Sequence, residues 1–477
     1  MRPFAILAFG CALLAGCSMA PKYTRPETPV AARFPSEEAA AETGSSVPSA
    51  AELAWQDFFR DERLKRIVEL ALENNRDLRV AALNVERVRA VYNIQRSILI
   101  PSVDATGRMS RERTPAEFSA SGQPVTGSVY SVGLEMPSYE LDFFGRVASL
   151  RDQVLNQYLA TEEARRSAQI ALISAVARQY LAALAAREQL ELAKETLAAA
   201  EHSYELSRQG FEGGVRSELD LRTAEGQRET VRAAVVAQEQ RLAQIENGLV
   251  LLVGAPLPAD LPPAGSLATQ ALLEDIPAGV PADLLTRRPD VRAAEHALLA
   301  ANANIGVARA AFFPSIKLTA FAGSASAELS GLFEDGSGRW SFAPSVTLPI
   351  FAAGRNKARL DVAWIEQRIE IANYQKAIQS AFREVADALA VRGIIGRAIA
   401  AQEARVQAAQ RRHDLTTQRF DAGIDPYLSV LLAKQELFAA QQALIDAQLA
   451  RLSNLTALYA SLGGGWKDES SNAPPRK

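Results

Sequence analysis

Residues 146–209 read RVASLRDQVLNQYLATEEARRSAQIALISAVARQYLAALAAREQLELAKETLAAAEHSYELSRQ, 64 residues without a glycine or a proline. As one helix, this stretch would extend ~95 Å at 1.5 Å per residue. Apolar residues recur at three- and four-residue steps, as at Ile173, Val176, Tyr180 and Leu184, which is the pattern of a helix-packing stripe. Because so long a helix needs partners alongside it, the stretch predicts a coiled-coil-like bundle.

The chain repeats this pattern with a period of about 209–213 residues. Residues 356–419 predict a second long helix, and the landmarks around the two helices recur in the same order. The matched landmarks are Asn74–Arg79 with Arg287–Arg292, Phe143–Arg146 with Phe351–Arg355, and Phe211–Val215 with Phe420–Ile424. Gly214 and Gly423 are predicted to end the long helices in the left-handed conformation and to reverse the chain. We therefore expect two structural repeats, 61–254 and 282–463, each with a helix, two strands, a long helix and a return helix.

Two segments in each half alternate between apolar and small or polar residues. Tyr130, Val132, Leu134 and Met136 lie on one predicted face, and residues 340–348 alternate in the same way. The predicted partner strands are 103–110 and 316–323, and the predicted external loops are 111–126 and 324–339. Such alternation over ~10 residues is typical of transmembrane barrel strands. Taken alone, it fits two soluble hairpins with one buried face equally well.

Four strands per chain cannot close a barrel, and open strand edges are not tolerated in lipid. The chain would therefore share a barrel with its copies: two copies give eight strands and three give twelve. Because an eight-stranded barrel is filled by its own side chains, conduction favours three copies. The predicted fold is mainly α with a transmembrane β part, namely a long α-helical coiled-coil barrel and a β-barrel shared between subunits.

The N-terminus has the pattern of a lipoprotein signal peptide. A positive start is followed by the apolar stretch 4–16, too short for a stable membrane anchor, and by Leu14-Ala15-Gly16-Cys17, which resembles a lipobox. We predict a signal peptide at 1–16, lipidation (palmitate) of Cys17, and a lipidated extended segment at 17–60. An ordinary signal peptide that contains a cysteine is the alternative. Ser18 is not acidic, which favours the outer membrane over the inner one.

Composition excludes several classes of function. Lys and Arg total 52 and Asp and Glu total 55, so the formal net charge of -3 gives no sign of nucleic-acid binding. The three histidines, His202, His296 and His413, have no companion ligand at metal-binding spacing. No phosphate-binding glycine loop or nucleophile motif is recognisable, so we expect neither an enzyme nor a cofactor. We also expect no transmembrane helix after the signal peptide, a linker at 255–281 and a flexible tail at 464–477.

Residues 284–292 (LLTRRPDVR) and 305–315 (IGVARAAFFPS) resemble the signature of the TolC-like outer-membrane efflux proteins. The C-terminal run 459–466 (YASLGGGW) is similar to the lipoprotein branch that serves resistance-nodulation-division pumps. The resemblance implies a homotrimer with a twelve-stranded barrel above an α-helical periplasmic tunnel. It also implies docking to a periplasmic adaptor (membrane fusion) protein and an inner-membrane resistance-nodulation-division pump, and a role in multidrug efflux and antibiotic resistance.

The resemblance assigns two roles, adaptor docking and pore closure, to the helical hairpin tips. The docking positions implied on this chain are Phe211, Gly214, Val215, Phe420, Gly423 and Ile424. Asp425 resembles a pore-constricting aspartate, and Asp421 is a second candidate for the same ring. Capping of the return helix beside Pro426 is the alternative reading of Asp425. Arg216 occupies the place in the first half that Asp425 has in the second, so an Arg–Asp contact between neighbouring hairpins is a further hypothesis.

Two rival functions stay open on sequence alone. One is the outer-membrane duct of a type I protein secretion system, which uses the same architecture. The other is a non-conducting trimeric tether of envelope layers, although such a tether would not need duplicated strand pairs.

Overall fold

The computed structural model of the protein describes residues 18–35, 52–270, 272 and 281–466. The predicted signal peptide, Cys17 and the end of the predicted tail (467–477) lie outside these residues. The chain divides into two compact units, described separately below. The strand unit contains Asn84–Glu162 and Ala293–Gln375 with the N-terminal residues up to Glu27, and the hairpin unit contains Thr28–Leu83, Glu163–Arg292 and the residues from Lys376 onward. Each unit takes residues from both sequence repeats.

The helices follow the predicted order in both halves. The first half forms α1 (Trp55–Phe58), α2 (Glu62–Asn74), α3 (Arg76–Ser97), α4 (Arg146–Glu212) and α5 (Glu218–Val253). The second half forms α6 (Pro281–Arg287), α7 (Pro289–Ala310), α8 (Arg355–Asp421) and α9 (Tyr427–Ser461). The two predicted long helices are confirmed, because α4 and α8 are each continuous over 67 residues. Both extend two or three residues past the predicted ends.

The predicted packing stripe on α4 is buried in the hairpin unit. Ile173, Val176, Tyr180 and Leu184 are each 2% exposed or less. The Tyr180 hydroxyl donates to Asp61 Oδ2 at 3.0 Å, so its one polar atom is satisfied. Elsewhere in this unit, the Phe58 and Tyr459 rings stack with centroids 4.1 Å apart. The three- and four-residue spacing of apolar side chains therefore marks the face of α4 that packs against the rest of the unit.

The two repeats close in the same way at the ends of their return helices. In the first half, Asn75 Nδ2 donates to the Leu252 carbonyl at 2.8 Å. In the second half, the buried Arg288 donates from Nη1 to the Ser461 carbonyl at 2.9 Å and to Glu384 at 2.8 Å. Both donors stand directly before a helix, α3 or α7, and both acceptors lie at the end of α5 or α9. Each contact thus ties the start of a repeat to its end.

The four strands of the strand unit form one antiparallel sheet in the order β1-β2-β3-β4. They are β1 (Asp104–Thr114), β2 (Val125–Leu141), β3 (Ser315–Ser326) and β4 (Gly338–Thr347). Both predicted external loops were too long. Arg111–Thr114 belong to β1 and residues 125 and 126 to β2, while residues 324–326 belong to β3 and residues 338 and 339 to β4. The charged Arg111-Glu112-Arg113 run suggested a loop, yet it is paired with β2 throughout. Cross-strand pairing overrode local polarity there.

The register places the predicted apolar residues of the strands on one face of the sheet. Leu134 pairs with Ala322, and Ala322 pairs with Trp340. Because residues directly opposite one another share a face, the apolar sets of β2, β3 and β4 are continuous. Trp340 is 79% exposed and Leu134 57% exposed in the single chain. An exposed apolar face of this size needs an apolar environment.

The N-terminal residues of the strand unit are held against α7. Arg25 forms a bidentate pair with Glu295, at 2.8 and 2.9 Å, and the Tyr23 hydroxyl donates to the same carboxylate. Burial and the Glu295 charge raise the pKa of Tyr23 above its usual range, so the phenol remains a donor. Further along α7, Arg309 donates to the Met19 carbonyl at 3.2 Å. Residues 19–25 are therefore fixed along this helix.

By length and composition, one helix in the described part of the chain is apolar enough to cross a membrane. This helix is α4, and the apolar segment is mostly buried within the protein itself. Such burial is typical of the core helix of a bundle.

Candidate functional site: the helical hairpin tips

The tips are the turns that join α4 to α5 and α8 to α9 in the hairpin unit. At each tip a glycine adopts the left-handed conformation, Gly214 with φ 74° and Gly423 with φ 73°. The following amides bond back to the helix, Val215 N to Gly210 O and Ile424 N to Arg419 O, both at 2.9 Å. These bonds satisfy carbonyls that the helix ends leave free. The predicted glycine turns are confirmed at both positions.

Asp425 is engaged by an arginine of its own hairpin. Arg419 Nε and Nη2 donate to the two carboxylate oxygens of Asp425 at 2.6 and 2.9 Å. The hydrogen bonds from Arg419 hold the pKa of Asp425 below its usual range, so the carboxylate is charged at neutral pH. The capping alternative is wrong, because the N-cap residue of α9 is Pro426 and both carboxylate oxygens of Asp425 accept from Arg419 instead. Asp421, the last residue of α8, is exposed.

Arg216 has different partners from those predicted by its alignment with Asp425. Its Nη1 donates to Ser207 Oγ at 2.8 Å, and its guanidinium lies over the rings of Phe420, at 5.4 Å, and Tyr427, at 6.0 Å. These contacts are cation–π in type and join the first hairpin to the second within one chain. The hypothesis of an Arg216–Asp425 contact between neighbouring hairpins stays a prediction.

The two tips carry different side chains at two equivalent positions. Gly210 and Arg419 are 209 residues apart (419 − 210), as are Arg216 and Asp425 (425 − 216). In the second hairpin, this pair of positions carries the Arg419–Asp425 ion pair. In the first, a Cβ on Gly210 would come within 2.8 Å of Arg216 Cδ. The missing side chain at position 210 therefore makes room for Arg216 to cross to Phe420.

The predicted docking positions are exposed and mainly apolar. Val215 is 82% exposed, Ile424 62% and Phe211 41%, whereas Phe420 is half-buried beneath Arg216. Two further apolar residues were missed by the sequence analysis: Leu219, 76% exposed, and Leu428, 54% exposed. They are also 209 residues apart (428 − 219), at the start of the two return helices, so the repeat could have revealed them. Together these residues form an apolar tip surface suited to a protein partner.

The histidines do not assemble into a metal site. No group of three or more His, Cys, Asp or Glu side chains with metal-binding geometry exists among the described residues. His296 Nδ1 lies 3.1 Å from Asn156 Oδ1 in the strand unit, while His202 and His413 are on α4 and α8. Their contacts are those of helix faces.

A four-stranded sheet with an exposed apolar face, combined with duplicated helical hairpins, defines the class of TolC-like outer-membrane channels. The sequence profile of the outer membrane efflux protein family matches residues 67–255 and 280–464, and the chain belongs to this family. Its members are channels and not enzymes. The family resemblance seen in the sequence is thereby confirmed, as are the mainly α fold and the outer-membrane location.

Named relatives cover almost the whole chain. The toluene efflux pump outer membrane protein TtgF of Pseudomonas putida is 49% identical over 463 residues, which are 96% of this chain and 96% of the relative. The antibiotic efflux pump outer membrane protein ArpC of Pseudomonas putida is 47% identical over 467 residues, 98% of this chain and 96% of the relative. The open-state MtrE channel of Neisseria gonorrhoeae superposes with a TM-score of 0.86 at 41% identity, over 94% of this chain and 99% of that one.

Proposed function

We propose that the protein is the outer-membrane channel of a tripartite efflux system, passively conducting small molecules from an inner-membrane pump and a periplasmic adaptor to the outside. Membership of the efflux protein family carries this proposal. The relatives are named for efflux of toluene in one case and of antibiotics in another. Because similar channels serve such different cargo, the substrate of this channel is set by its pump.

The functional unit is a homotrimer. In the single chain, β1 and β4 are both edges of the sheet, so their backbone groups must pair with other copies inside lipid. Three copies give a twelve-stranded barrel, wide enough to conduct. Within the strand unit, α3 exposes Val91 and Ile94, and α8 exposes Val362, Ile365 and Ile369, at helical spacing. These stripes are the surfaces that adjacent copies cover.

The hairpin tips meet the adaptor and close the pore. The apolar residues Val215, Leu219, Ile424 and Leu428 offer the docking surface, and Asp425 is held at the turn by Arg419. Around a threefold axis, three Asp425 carboxylates would repel one another and attract cations. The Arg419 guanidinium reduces that repulsion within each copy.

Lipidation of Cys17 anchors the chain beside its barrel. Met19, two residues later, is bonded to Arg309 near the end of α7, and β3 begins at Ser315. Met19 therefore lies near the junction of α7 and β3, which supports an anchor beside the barrel. Labelling with radioactive palmitate should mark the wild type and not Cys17→Ser, and a labelled Cys17→Ser variant would refute the anchor.

The test of the proposed function is deletion of the gene. Loss of the channel should increase susceptibility to several toxic compounds and leave protein secretion intact. Complementation with the full chain should restore resistance, because efflux needs a continuous conduit. A secretion defect without a change in susceptibility would favour the duct of a type I secretion system.

A conductance measurement distinguishes a channel from a non-conducting tether. The purified protein should give discrete single-channel currents in planar bilayers, because the shared barrel encloses water. A trimer without conductance, even after loosening of the tips, would support the tether.

A further inference from the structure

The outward face of the sheet, the face that carries Leu134, Ala322 and Trp340, has a limited apolar height. Residues paired across neighbouring strands form rows on this face. The first row contains the pair Ile316–Val346, and the last contains Met109, Tyr130 and Ser326. Along β3 this is ten residue steps (326 − 316), or ~33 Å at ~3.3 Å per residue. At a tilt of ~45°, it covers a height of ~23 Å, close to the ~25 Å apolar band of membrane barrels. The row of Met109 and Tyr130 is therefore the outer limit of the band.

Arg111 and Arg113 follow directly on the same face. They pair with Ser128 and Thr126, and they lie two and four residues beyond Met109 on β1. Two steps correspond to ~7 Å along the strand, which places Arg111 at the level of lipid headgroups. Both side chains are exposed, and neither has an ion-pair or hydrogen-bond partner among the residues that the structure describes.

Charge is distributed unequally between the two faces of the sheet. The structure describes every residue of the four strands, and all of their acidic residues lie on the opposite, inward face: Asp104, Glu112, Glu135 and Glu140. The other basic strand residues, Arg108, Lys317 and Arg339, also lie inward. Arg111 and Arg113 are thus the charged residues of the outward face, and both are cations at its outer end.

We propose that Arg111 and Arg113 bind the phosphate groups of the phosphorylated glycolipid in the outer leaflet of the outer membrane. A guanidinium matches phosphate with two parallel hydrogen bonds, and its charge attracts anionic headgroups at the membrane surface. The apolar residues Met109 and Tyr130, one row below, would contact the acyl chains of the same lipid. This inference rests on the proposed placement of the sheet in the membrane.

The experiment measures binding of lipid A, the phosphorylated glycolipid core, to the full-length protein purified in detergent. The double variant Arg111→Gln/Arg113→Gln should bind about 25-fold more weakly than the wild type, because each cation near a headgroup contributes about a fivefold gain in affinity. Arg111→Lys/Arg113→Lys should retain most of the binding, because the charge stays. The matched control is Arg108→Gln, on the same strand but the inward face, which should bind like the wild type.

Three outcomes would overturn the inference. The first is unchanged binding in the double glutamine variant, and the second is an equal loss in Arg108→Gln. The third concerns the double variant Glu334→Gln/Asp335→Gln, in the turn before β4. If this variant also loses lipid A binding and its oligomer dissociates, the arginines pair with acidic residues of a neighbouring copy and not with lipid. Dephosphorylated lipid A should bind weakly, and inorganic phosphate should not displace lipid A at micromolar concentration. A free-phosphate site would give the opposite result.

A separate measurement tests the membrane placement itself. Brominated lipids should quench the tryptophan fluorescence of the wild type more strongly than the fluorescence of the Trp340→Phe variant, because Trp340 lies in the apolar band. No difference would refute the placement of the sheet. If Trp340 is quenched but lipid A binding does not depend on Arg111 and Arg113, the membrane placement stands and only the proposed lipid site is refuted.

Discussion

Arg419 and Gly210 occupy equivalent positions in the two hairpins but give the tips different internal bonds. Arg419 is 53% exposed and its partner Asp425 24% exposed, measured on their side chains. Exposed ion pairs contribute little to folding stability. The contact therefore matters for the position of Asp425 at the turn, and less for the stability of the helices.

Replacing Arg419 by Ala should loosen the pore without unfolding the protein. The three Asp425 carboxylates would lose their guanidinium partners, and their mutual repulsion would favour the open tip by about threefold. Single-channel recordings should show a higher open probability, while the unfolding temperature stays unchanged. Arg412→Ala, which breaks the exposed pair with Glu436 on the same helices, is the control and should leave the open probability unaltered.

The Arg419–Asp425 pair also has a defined pH range. Because the folded-state pKa of Asp425 is depressed, the interaction is fully present above the ordinary aspartate value of 3.8 and weakens only as pH falls further. The currents of the wild-type channel should therefore not change through this pair between pH 7 and pH 5. A pH-dependent change in current in that interval that is absent from the Arg419→Ala variant would contradict the depressed pKa of Asp425.

The Arg216→Ala variant should also increase the leak of large molecules through the closed pore, but for another reason. It removes the bridge from Ser207 to Phe420 and Tyr427, so the two hairpins lose one of their contacts near the tips. We expect increased uptake of a bulky antibiotic such as vancomycin in cells that carry the variant. Arg222→Ala, on the exposed face of α5, serves as the control. Unchanged uptake in Arg216→Ala would argue against a role in closure.

At the level of elements, the packing of α8 against α9 includes a histidine that favours its neutral form. Burial, and next the charge of Lys434, lower the pKa of His413 below 6.5, although Asp414 opposes the shift. His413 Nδ1 is buried and has no hydrogen-bond partner within the described part of the chain. Protonation would therefore place a second cation beside Lys434 between these helices.

The stability of the protein should consequently fall in mild acid. Below about pH 6.5 the unfolded chain binds a proton at His413 that the folded chain resists, so the free energy of unfolding decreases as pH drops from 7 to 5. His413→Gln should reduce this loss, by roughly 1–2 °C in the unfolding temperature. His202→Gln, an exposed position on α4, should have no such effect. If the unfolding temperature falls with pH equally steeply in the wild type and in His413→Gln, the prediction is refuted.

For the whole molecule, the exposed apolar stripes are the feature that a single chain cannot explain. Ile94 on α3 is 67% exposed, although it belongs to a helix with apolar residues at regular spacing. Contact with a neighbouring copy would remove this surface from water. Stability of the protein then depends on the concentration of its copies.

Ile94→Asp should therefore weaken the trimer. A charge buried between copies without a partner is costly, and we expect monomers to appear in detergent at concentrations about tenfold higher than for the wild type. Mass photometry of the purified protein measures the distribution. Asn93→Asp adds the same charge next to the stripe and should leave the trimer intact. A wild type that is monomeric in detergent would contradict the proposed assembly itself.

The order and approximate length of the helices and strands follow from local signals in the amino-acid sequence. A stretch without glycine or proline predicted α4, the sequence repeat extended that prediction to α8, and Gly214 and Gly423 marked the turns, because local backbone preferences act over a few residues. Period-two alternation located the strands, and the two halves repeated each signal. The family followed from the motifs at 284–292 and 305–315.

The side-chain contacts, in contrast, became visible only in the folded chain. Asp425 pairs with Arg419 of its own helix end and not with the return helix, and Arg216 crosses to Phe420 because Gly210 leaves space. The register alone showed that Arg111 and Arg113 continue the apolar face of the sheet and are not part of a loop. Contacts between residues distant in sequence depend on how elements pack and pair, and local preference carries no information about that arrangement.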